Sequence, residues 1–578
     1  MLKKLLKNVG EYRKDSILTP IYVILEVIME VIIPLLMAKI VDVGLANGDI
    51  KYVVKIGVIM LISSLLALYF GVTSGKTAAR ASTGFSKNLR KAMYDKIQSY
   101  SFSNIDKFST SSLVTRLTTD VTNVQNAYQM CIRVLVRAPI MLISALIMSF
   151  YINSELALIF LGAIIFLSVV LYLIMTRAHV HFQRTFKKYD DLNASVQENL
   201  TGIRVVKAYV REDYEISKFH KASTSLYTGF SSAEKLLLIN TPAMQFTMYT
   251  CNLLLSWLGA HLILKGRMAT GELMSMFTYT GNILISLMIV SMVFVMVVMS
   301  RASMERIYEV LAEESNLTNG SNPIYEVPDG SIEFKNVDFS YSNDVNKLVL
   351  ENINLKINAG ETIGIIGGTG SAKSSLVQLI PRLYDTTRGT IEVGGVDVRN
   401  YDMDTLRNEV SMVLQKNVLF SGTIKENLRW GNKAATDEEI RKACEHAQAQ
   451  EFIESFPKQY DTYIEQGGTN VSGGQKQRLC IARALLKKPK ILIFDDSTSA
   501  VDTKTDAKIR KALKEEIPGT TKIIIAQRIS SIESADKIIV INDGKIDGFG
   551  THDELLMSNS IYREVYLSQT KGAGQEDE

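Results

Sequence analysis

Six long apolar stretches constrain the fold of this chain more than any other feature of its sequence. They cover residues 20–43, 52–75, 134–152, 156–175, 236–264 and 273–299. A helix needs about 20 apolar residues to cross the hydrocarbon core of a bilayer. Each stretch is that long or nearly so, and the first half of the chain is therefore predicted to cross a membrane six times.

The links between these spans differ in length and charge. Residues 44–51, 153–155 and 265–272 form short links, whereas 76–133 and 176–235 are long, polar, rich in Lys and Arg, and patterned as helices. Basic residues accumulate on the cytosolic side of membrane proteins. We therefore expect both termini and both long links to lie in the cytosol, with the long links extending the membrane helices.

Four charged residues fall inside or close to the spans. Glu26 and Glu30 lie one helical turn apart on the first span, and Arg133 and Arg137 are spaced in the same way at the start of the third. A charge in hydrocarbon is costly unless it is paired or hydrated, so these side chains should face the bundle interior. They fit two interpretations, a cation-binding or gating patch and a structural ladder of Glu–Arg ion pairs.

Composition adds a few limits. A net charge of +4 over 578 residues gives no reason to expect a nucleic-acid partner. The four cysteines are far apart and lack a metal-binding spacing, which favours free thiols in a reducing, cytosol-facing location. The basic N-terminus leads into the first span without a small-residue cleavage site, so no removable signal peptide is expected.

Hydropathy falls after the sixth span, and the chain changes character. Residues 316–329 form a polar segment with Pro and Gly, and short apolar runs then alternate with helical patterns up to about residue 570. The sequence thus predicts a membrane domain over 1–315, a linker over 316–329, an α/β domain over 330–570 and a solvated tail over 571–578.

The stretch TIGIIGGTGSAKSS, which begins at Thr362, has the pattern of a P-loop: an apolar strand, a loop of small residues, then Lys and Ser opening a helix. Backbone N–H groups of such a loop cradle phosphates, the lysine contacts the outer phosphates, and the serine binds Mg²⁺. The candidate nucleotide-binding residues here are Gly367, Gly370, Ser371, Ala372, Lys373, Ser374 and Ser375. Ala372 replaces the second glycine of the consensus, and its methyl group narrows the available backbone conformations.

Two further motifs follow at the spacing expected of a nucleotide-binding domain. SGGQ, which is Ser472, Gly473, Gly474 and Gln475, opens a long predicted helix. The stretch KILIFDD then reads as a buried strand that ends in Asp495 and Asp496. A carboxylate at the end of a parallel strand can hold a metal or activate a water.

Taken together, these motifs resemble those of half-transporters of the ATP-binding cassette (ABC) exporter family, over nearly the full length of the chain. The resemblance implies that Tyr341 stacks on adenine, that Gln415 touches Mg²⁺ and the membrane domain, and that Asp495 and Ser374 hold Mg²⁺. It also implies that two nucleotide domains pair head to tail, so that each ATP lies between one chain's P-loop and the other chain's SGGQ. The long cytosolic links would then be coupling arms, with short helices near 103–108 and 203–211.

This chain departs from the family pattern around one phosphate. Asp496 stands where the family has a water-polarising glutamate, and it is shorter by one C–C bond, roughly 1.5 Å. Gln527 stands where the family has a histidine, and an amide cannot carry a positive charge. With Ala372, these changes predict a site that binds ATP and hydrolyses it poorly. The chain thus resembles the degenerate half of a heterodimeric, multidrug-type exporter whose partner supplies the glutamate and the histidine.

Other interpretations stay open from the sequence. A homodimeric exporter in which Asp496 suffices predicts robust ATP turnover by this chain alone. An ATP-gated regulatory or channel-like protein predicts ATP binding and passive flux without pumping. A soluble ATPase tethered to a membrane is disfavoured because the long cytosolic links would have no purpose in it.

The sequence constrains the transported substrate and the type of membrane less than it constrains the fold. Amphipathic drugs, lipids and peptides fit the sequence equally well, moving outward from the cytosol or inner leaflet. The first span begins almost at once, which disfavours processing of a leader peptide. Compact size and short external links favour a bacterial plasma membrane.

Overall fold

The computed structural model describes residues 1–497 and 501–573, except the side chains of His179, Phe182, Gln183, Phe186, Lys187, Asp190 and residues 571–573. The described residues fall into two compact units. One unit comprises Met1–Gln98 and Thr110–Glu313, and the other comprises Ser99–Ser109 and the residues from Glu314 onward. The predicted tail begins inside the last helix, and its residues 574–578 lie outside the described part of the chain.

The part of the chain before the first strand is helical, with π-helical segments at Ile40–Leu45 and Arg116–Asp120. Its α-helices are α1 (Leu2–Leu6), α2 (Arg13–Lys39), α3 (Ile50–Gln98), α4 (Phe102–Lys107), α5 (Thr110–Thr115), α6 (Val121–Ile132), α7 (Val134–Ile152), α8 (Ser154–Thr201), α9 (Ile203–Ala208), α10 (Glu212–Leu238), α11 (Asn240–Leu264) and α12 (Thr270–Ala312).

Six helical segments of the described chain are long and apolar enough to cross a membrane, which confirms the predicted architecture. They are Leu2–Leu45, Ile50–Gln98, Thr110–Ile152, Ser154–Ala178, Glu212–Leu264 and Thr270–Ala312. Several run well beyond the apolar stretches that predicted them. Hydropathy reports only the part of a helix that matches hydrocarbon, whereas backbone hydrogen bonding continues into the polar extension.

The first and last membrane helices are joined by polar contacts at two levels. Near the end of the first span, the carboxylate of Asp42 accepts hydrogen bonds from the backbone N–H groups of Gly271 (2.6 Å) and Glu272 (3.1 Å) at the start of α12. Deeper in the bundle, the buried hydroxyl of Tyr279 donates to the carbonyl of Val31 at 2.7 Å. These contacts satisfy groups that hydrocarbon would leave unpaired, and they fix the register of the two helices.

The second unit is an α/β domain, as predicted. Its strands are β1 (Ile332–Phe339), β2 (Leu350–Ile357), β3 (Thr362–Gly367), β4 (Arg388–Val393), β5 (Val396–Asp397), β6 (Val410–Val413), β7 (Gly422–Thr423), β8 (Tyr463–Ile464), β9 (Ile491–Asp495), β10 (Thr521–Ile525), β11 (Lys537–Asn542) and β12 (Lys545–Gly550). Its later helices are α13 (Lys373–Gln378), α14 (Met403–Glu409), α15 (Ile424–Leu428), α16 (Asp437–His446), α17 (Gln450–Ser455), α18 (Gly473–Leu485), α19 (Thr503–Glu516), α20 (His552–Ser558) and α21 (Ser560–Ala573).

A mostly parallel sheet forms the centre of this unit. Among the described residues its strand order is β12-β11-β3-β10-β9-β6, and a separate antiparallel sheet has the order β2-β1-β4-β5. All five residues of β9 and of β10 are buried, as expected for strands covered on both faces. The parallel pairing of β3, β10, β9 and β6 brings their carboxyl ends to one edge, and ligands bind at this edge of such sheets.

The short helix α4 belongs to the second compact unit, although the chain enters and leaves it through the membrane helices. Ser101 and Asn104 form a capping box at its start. The amide of Asn104 donates to the carbonyl of Glu314 at 3.0 Å, and the hydroxyl of Tyr384 donates to the carboxylate of Asp106 at 2.6 Å. The first of the two predicted coupling helices therefore contacts the α/β domain directly.

Candidate nucleotide-binding site

The P-loop connects β3 to α13, and its glycines differ in how closely other atoms approach them. A Cβ atom at Gly367 would lie 2.1 Å from the carbonyl oxygen of Ile541, so only glycine fits there. A Cβ atom at Gly368 or Gly370 would meet nothing within 4 Å, which leaves open space in front of the loop. The loop therefore has room for the phosphate groups that its sequence predicts.

Two residues of this loop adopt left-handed backbone conformations. Gly370 has φ of +84°, and Ala372, the N-cap of α13, has φ of +72°. Such turns aim successive N–H groups at a common point, which suits an anion. A residue with a Cβ atom adopts this conformation at a cost of roughly 1–2 kcal/mol. Ala372 thus adopts the left-handed backbone conformation that a glycine at this position would adopt without strain.

The ammonium group of Lys373 lies against its own loop. It donates to the carbonyls of Gly367 (2.9 Å) and Gly368 (2.7 Å). Partial burial lowers the pKa of Lys373, and the nearby charges of Asp496 and Asp495 oppose that shift. An ammonium group in this position can neutralise phosphate charge at the mouth of the loop.

Ser374 and Asp495 bring two oxygen ligands together. The serine hydroxyl donates to the Asp495 carboxylate at 2.7 Å. Burial raises the pKa of Asp495, while the serine hydrogen bond acts in the opposite direction. A hydroxyl beside a carboxylate suits Mg²⁺, which keeps few protein ligands and takes the others from water and phosphate.

Among the side chains that the structure describes, no cluster of three or more His, Cys, Asp or Glu is suited to a metal. Phosphate or water oxygens would therefore have to complete a magnesium site here. The third predicted ligand, Gln415, is exposed two residues beyond the end of β6, at the edge where Asp495 emerges from β9. The residues present thus fit Mg²⁺ held together with a nucleotide.

Asp496 and Gln527 are hydrogen-bonded to each other. The Gln527 amide nitrogen donates to Oδ2 of Asp496 at 2.6 Å. Asp496 has φ of +47°, and its backbone N–H donates to the carbonyl of Ile525 at 3.2 Å. The structure therefore brings together the two predicted residues that depart from the family pattern, each following a neighbouring strand.

A further residue of this region was missed by sequence reasoning. Gln569, on α21, accepts a hydrogen bond from the backbone N–H of Ile529 and donates one to the carbonyl of Gln527, each at 2.9 Å. It fixes the backbone that carries the Gln527 side chain. No local sequence pattern predicts this contact, because Gln569 lies about forty residues after Gln527 in the sequence. The sequence around Gln569 has the pattern of an ordinary surface helix.

Tyr341 lies beside the P-loop helix. Its hydroxyl is 2.8 Å from that of Ser375, and its ring meets Tyr384 edge-on at 5.1 Å between centroids. The residue is 47% exposed. An aromatic ring that is partly exposed next to the phosphate-binding loop is suitably placed to stack on a base, so the predicted adenine contact stays a prediction with a compatible geometry.

The SGGQ turn lies at the N-terminus of α18. Ser472 and Gln475 form a capping box, in which Ser472 accepts from the Gln475 backbone N–H at 3.3 Å and donates its own N–H to the Gln475 side chain at 3.0 Å. Ser472 and Gly473 are exposed, and Gly474 and Gln475 are partly exposed. Within the described residues, no hydrogen bond joins this turn to the P-loop, and the predicted role in a partner's site stays a prediction.

Comparison with known proteins identifies the family of this chain. Residues 16–288 match the ABC transporter transmembrane region, and residues 350–499 match the ABC transporter family. An uncharacterised ABC transporter ATP-binding protein of Bacillus subtilis is 37% identical over 575 residues, which cover 100% of both chains. The chain belongs to the ABC transporter family. ATP hydrolysis coupled to transport is therefore its activity, as predicted.

This ABC transporter is also similar to a lipid A-core flippase and to a solved exporter structure. An ATP-dependent lipid A-core flippase of Desulfotalea psychrophila is 34% identical over 492 residues, 84% of each chain. The solved structure of a bacterial Atm1-family ABC exporter with ATP bound superposes with a TM-score of 0.83. That likeness covers 96% of this chain and 99% of the exporter at 22% identity, and it confirms the exporter fold, a six-helix membrane domain fused to a nucleotide-binding domain.

Proposed function

We propose that this ABC transporter is one half of a heterodimeric exporter, and that its own ATP site binds Mg²⁺ and ATP but hydrolyses ATP slowly. The observation that carries the proposal is the 2.6 Å hydrogen bond between Gln527 and Asp496. The two side chains that would have to act on the attacking water are engaged with each other. Neither is the residue type that the family uses at its position.

Each binding group of this site has a defined task. The N–H groups of the P-loop and the ammonium of Lys373 hold the phosphates, while Ser374, Asp495 and Gln415 hold Mg²⁺. When bound there, Mg²⁺ would neutralise charge that develops on the phosphate oxygens. Binding of this kind requires oxygen ligands and N–H donors in fixed positions, and the 2.7 Å hydrogen bond between Ser374 and Asp495 supports such an arrangement.

Hydrolysis needs more than binding. A base must reach the attacking water at hydrogen-bond distance, and a displacement of about 1 Å can cost on the order of a hundredfold in rate. The Asp496 carboxylate is withdrawn by roughly 1.5 Å relative to glutamate, the length of one C–C bond. The neutral amide of Gln527 also adds no positive charge to stabilise the reacting phosphate.

The partner subunit follows from the same asymmetry. In the proposed pair, Ser472, Gly473, Gly474 and Gln475 of this chain complete the ATP site of a non-identical chain that carries the glutamate and the histidine. The exposure of Ser472 and Gly473 at the N-terminus of α18 supports this role, because these residues remain accessible to a partner. Turnover at the partner's site would reset the transporter.

We further propose that both termini and the nucleotide domain lie in the cytosol of a bacterium, with the membrane domain in its plasma membrane. The lysine- and arginine-rich links support this orientation, and the bacterial relatives support the setting. The substrate would be an amphipathic molecule, of multidrug, lipid or peptide type, moved outward.

The proposal can be tested with two full-length copies of this chain joined in tandem, so that pairing is enforced. The wild-type pair is compared with a pair that carries Asp496→Glu and Gln527→His in both copies, reconstituted in lipid. We expect equal ATP binding and at least a hundredfold faster ATP turnover in the variant, because the longer carboxylate and the imidazole restore both lost groups.

Two results would count against it. Fast turnover by the wild-type pair would favour a homodimeric exporter in which Asp496 suffices. Slow turnover by both pairs, with ATP bound and the copies associated, would show that Asp496 and Gln527 do not set the rate, as in an ATP-gated protein that does not pump.

A further inference from the structure

A cavity of about 630 Å³ lies between the first two membrane helices of the first unit and the start of the third. Its wall carries the carboxylates of Glu26 and Glu30, the guanidinium of Arg133 and the small residues Gly71 and Gly75. A cavity of this size is large enough for a small ligand or for the head group of a larger one. Charged side chains inside a membrane domain are energetically costly unless they pair with a ligand or with one another.

One arginine already neutralises part of this charge. Arg137 donates from Nη1 to Glu26, and its Nη2 lies 2.9 and 2.8 Å from the two carboxylate oxygens of Glu30. Glu26 is buried and also accepts from the hydroxyl of Ser74 at 3.4 Å. The ladder of Glu–Arg ion pairs that the sequence allowed therefore exists. It sets two carboxylates against one guanidinium.

The second arginine is placed differently. Among the described residues, no carboxylate lies within 4.0 Å of the Arg133 guanidinium, which makes only a long contact of 3.5 Å with the carbonyl of Gly71. The guanidinium lies over Gly75, where a Cβ atom would be 3.6 Å from Nη1. Glu26 lies over Gly71, where a Cβ atom would be 3.0 Å from Oε1. The two glycines thus leave space for the two charged groups to face the cavity.

The cavity wall is therefore dipolar. Glu26, beside Glu30, lies over Gly71, and Arg133 lies over Gly75. These glycines are four residues apart on α3, about 6 Å along the helix. A ligand with a single charge would meet attraction from one group and repulsion from the other. A ligand that carries an ammonium and an acid group a few ångströms apart would match both.

We propose that this cavity binds the zwitterionic head group of a lipid-like amphipath, with its acid group on Arg133 and its ammonium on Glu26 and Glu30. The helix that provides the two glycines also provides a place for the hydrocarbon chain. Leu61, Leu65, Leu68 and Val72 follow one another at helical spacing on α3, and all four are exposed. Leu68 and Val72 line the cavity itself, so this apolar face is continuous with it.

This inference names the substrate class of the proposed exporter and rests on the proposed function for its meaning in transport. The binding itself needs neither ATP nor a partner chain. A failure here would leave the account of the nucleotide site intact, and a failure of the heterodimer account would leave this binding measurable.

The test uses the full-length chain in an uncharged sugar detergent and single-chain probes with the same acyl length. These are lysophosphatidylethanolamine as the zwitterion, lysophosphatidylglycerol as the anion and an alkylamine as the cation, with binding measured by calorimetry. Glycerophosphoethanolamine provides the head group without a chain. We expect the zwitterion to bind at least tenfold more tightly than either charged probe and than the head group alone.

Variants separate the two ends of the site. Arg133→Gln should reduce affinity for the zwitterion at least tenfold without weakening the alkylamine, which loses a repulsive charge. Glu30→Gln should weaken the zwitterion and the alkylamine but not the anion. Arg267→Gln is the matched control, since Arg267 pairs with Glu155 on an exposed surface at 2.7 Å. ATP binding by each variant shows that it is folded.

Several results would overturn the proposal. Equal affinity of the wild type for the three chain-bearing probes would mean that the charges do not select a ligand. Tighter binding of either singly charged probe would assign a different class. Equal binding of the head group alone would point to a free small zwitterion, and an unchanged profile in Arg133→Gln would remove that residue from the site.

Discussion

Asp496 directly follows the buried strand β9 with φ of +47°, and the Gln527 amide donates to its carboxylate. A neutral amide can donate to a carboxylate without adding a charge, so the two residue types are compatible with each other at this edge of the sheet. The proposed function adds that a carboxylate engaged in this way activates the attacking water slowly.

Lys373 offers a test of phosphate binding at the residue scale. Lys373→Ala should weaken ATP binding by roughly ten- to a hundredfold, since a hydrogen bond to a charged group contributes about 1.5–3 kcal/mol. Binding of a fluorescent ATP analogue to the full-length chain measures this. Lys356→Ala, at an exposed lysine of β2, is the control. Equal affinities for the two variants would mean that the P-loop does not hold the nucleotide.

Elements whose signals are local could be predicted from the sequence. The P-loop strand, the helix that SGGQ opens and the strand that ends in two aspartates all depend on neighbouring residues, and the structure places each where its pattern indicated. The lengths of the membrane helices could not be predicted, because hydropathy does not report the polar extensions. Contacts such as Gln569 with Gln527 depend on how distant elements meet.

The helix α21 is predicted to hold the segment after β10 through Gln569. Gln569→Ala should speed amide exchange at Ile529 by roughly two- to tenfold, because the lost hydrogen bond contributes about 0.5–1.5 kcal/mol. Gln569→Glu should keep Ile529 protected, since the acceptor oxygen remains. Hydrogen exchange read by mass spectrometry on the full chain measures both. Ser568→Ala is the control, because Ser568 bonds within its own helix, and equal exchange in Ala and Glu variants would refute this role.

The start of α16 predicts a pH dependence. Hydrogen bonds from Lys488 and from the Thr436 backbone lower the pKa of Glu439 from 4.5 to about 2. A carboxyl with a lowered pKa stabilises the fold above its unfolded value, so this contribution should be complete above pH 4.5 and lost as pH falls towards 2. Glu439→Gln keeps the capping box and removes the charge.

The melting temperature of the full chain should therefore differ between wild type and Glu439→Gln near neutral pH, and the difference should shrink below pH 4.5. Because Glu439 is partly exposed and solvent screens its ion pair, the effect will be small. The control variant Glu438→Gln removes a carboxylate from the same helical turn and keeps the contact between Glu439 and Lys488. A wild-type advantage that stayed constant down to pH 2 would contradict the assignment.

The whole molecule combines a membrane unit and a nucleotide-binding unit, and α4 is the segment of the membrane half that joins the second unit. The sequence indicated both units and their order because their compositions differ so strongly. It left the four intramembrane charges open between two interpretations. The structure shows that three of them form an ion-pair ladder and that Arg133 stands apart, since only the fold determines which side chains of separate helices meet.

The central claim concerns turnover, and one measurement tests it most directly. The full-length chain is purified alone in lipid, and ATP binding and ATP hydrolysis are measured on the same sample. The account predicts clear Mg²⁺-dependent ATP binding with hydrolysis at least a hundredfold below that of an exporter with the family's glutamate and histidine. Brisk hydrolysis by the chain alone would contradict it, because Asp496 and Gln527 would then be competent.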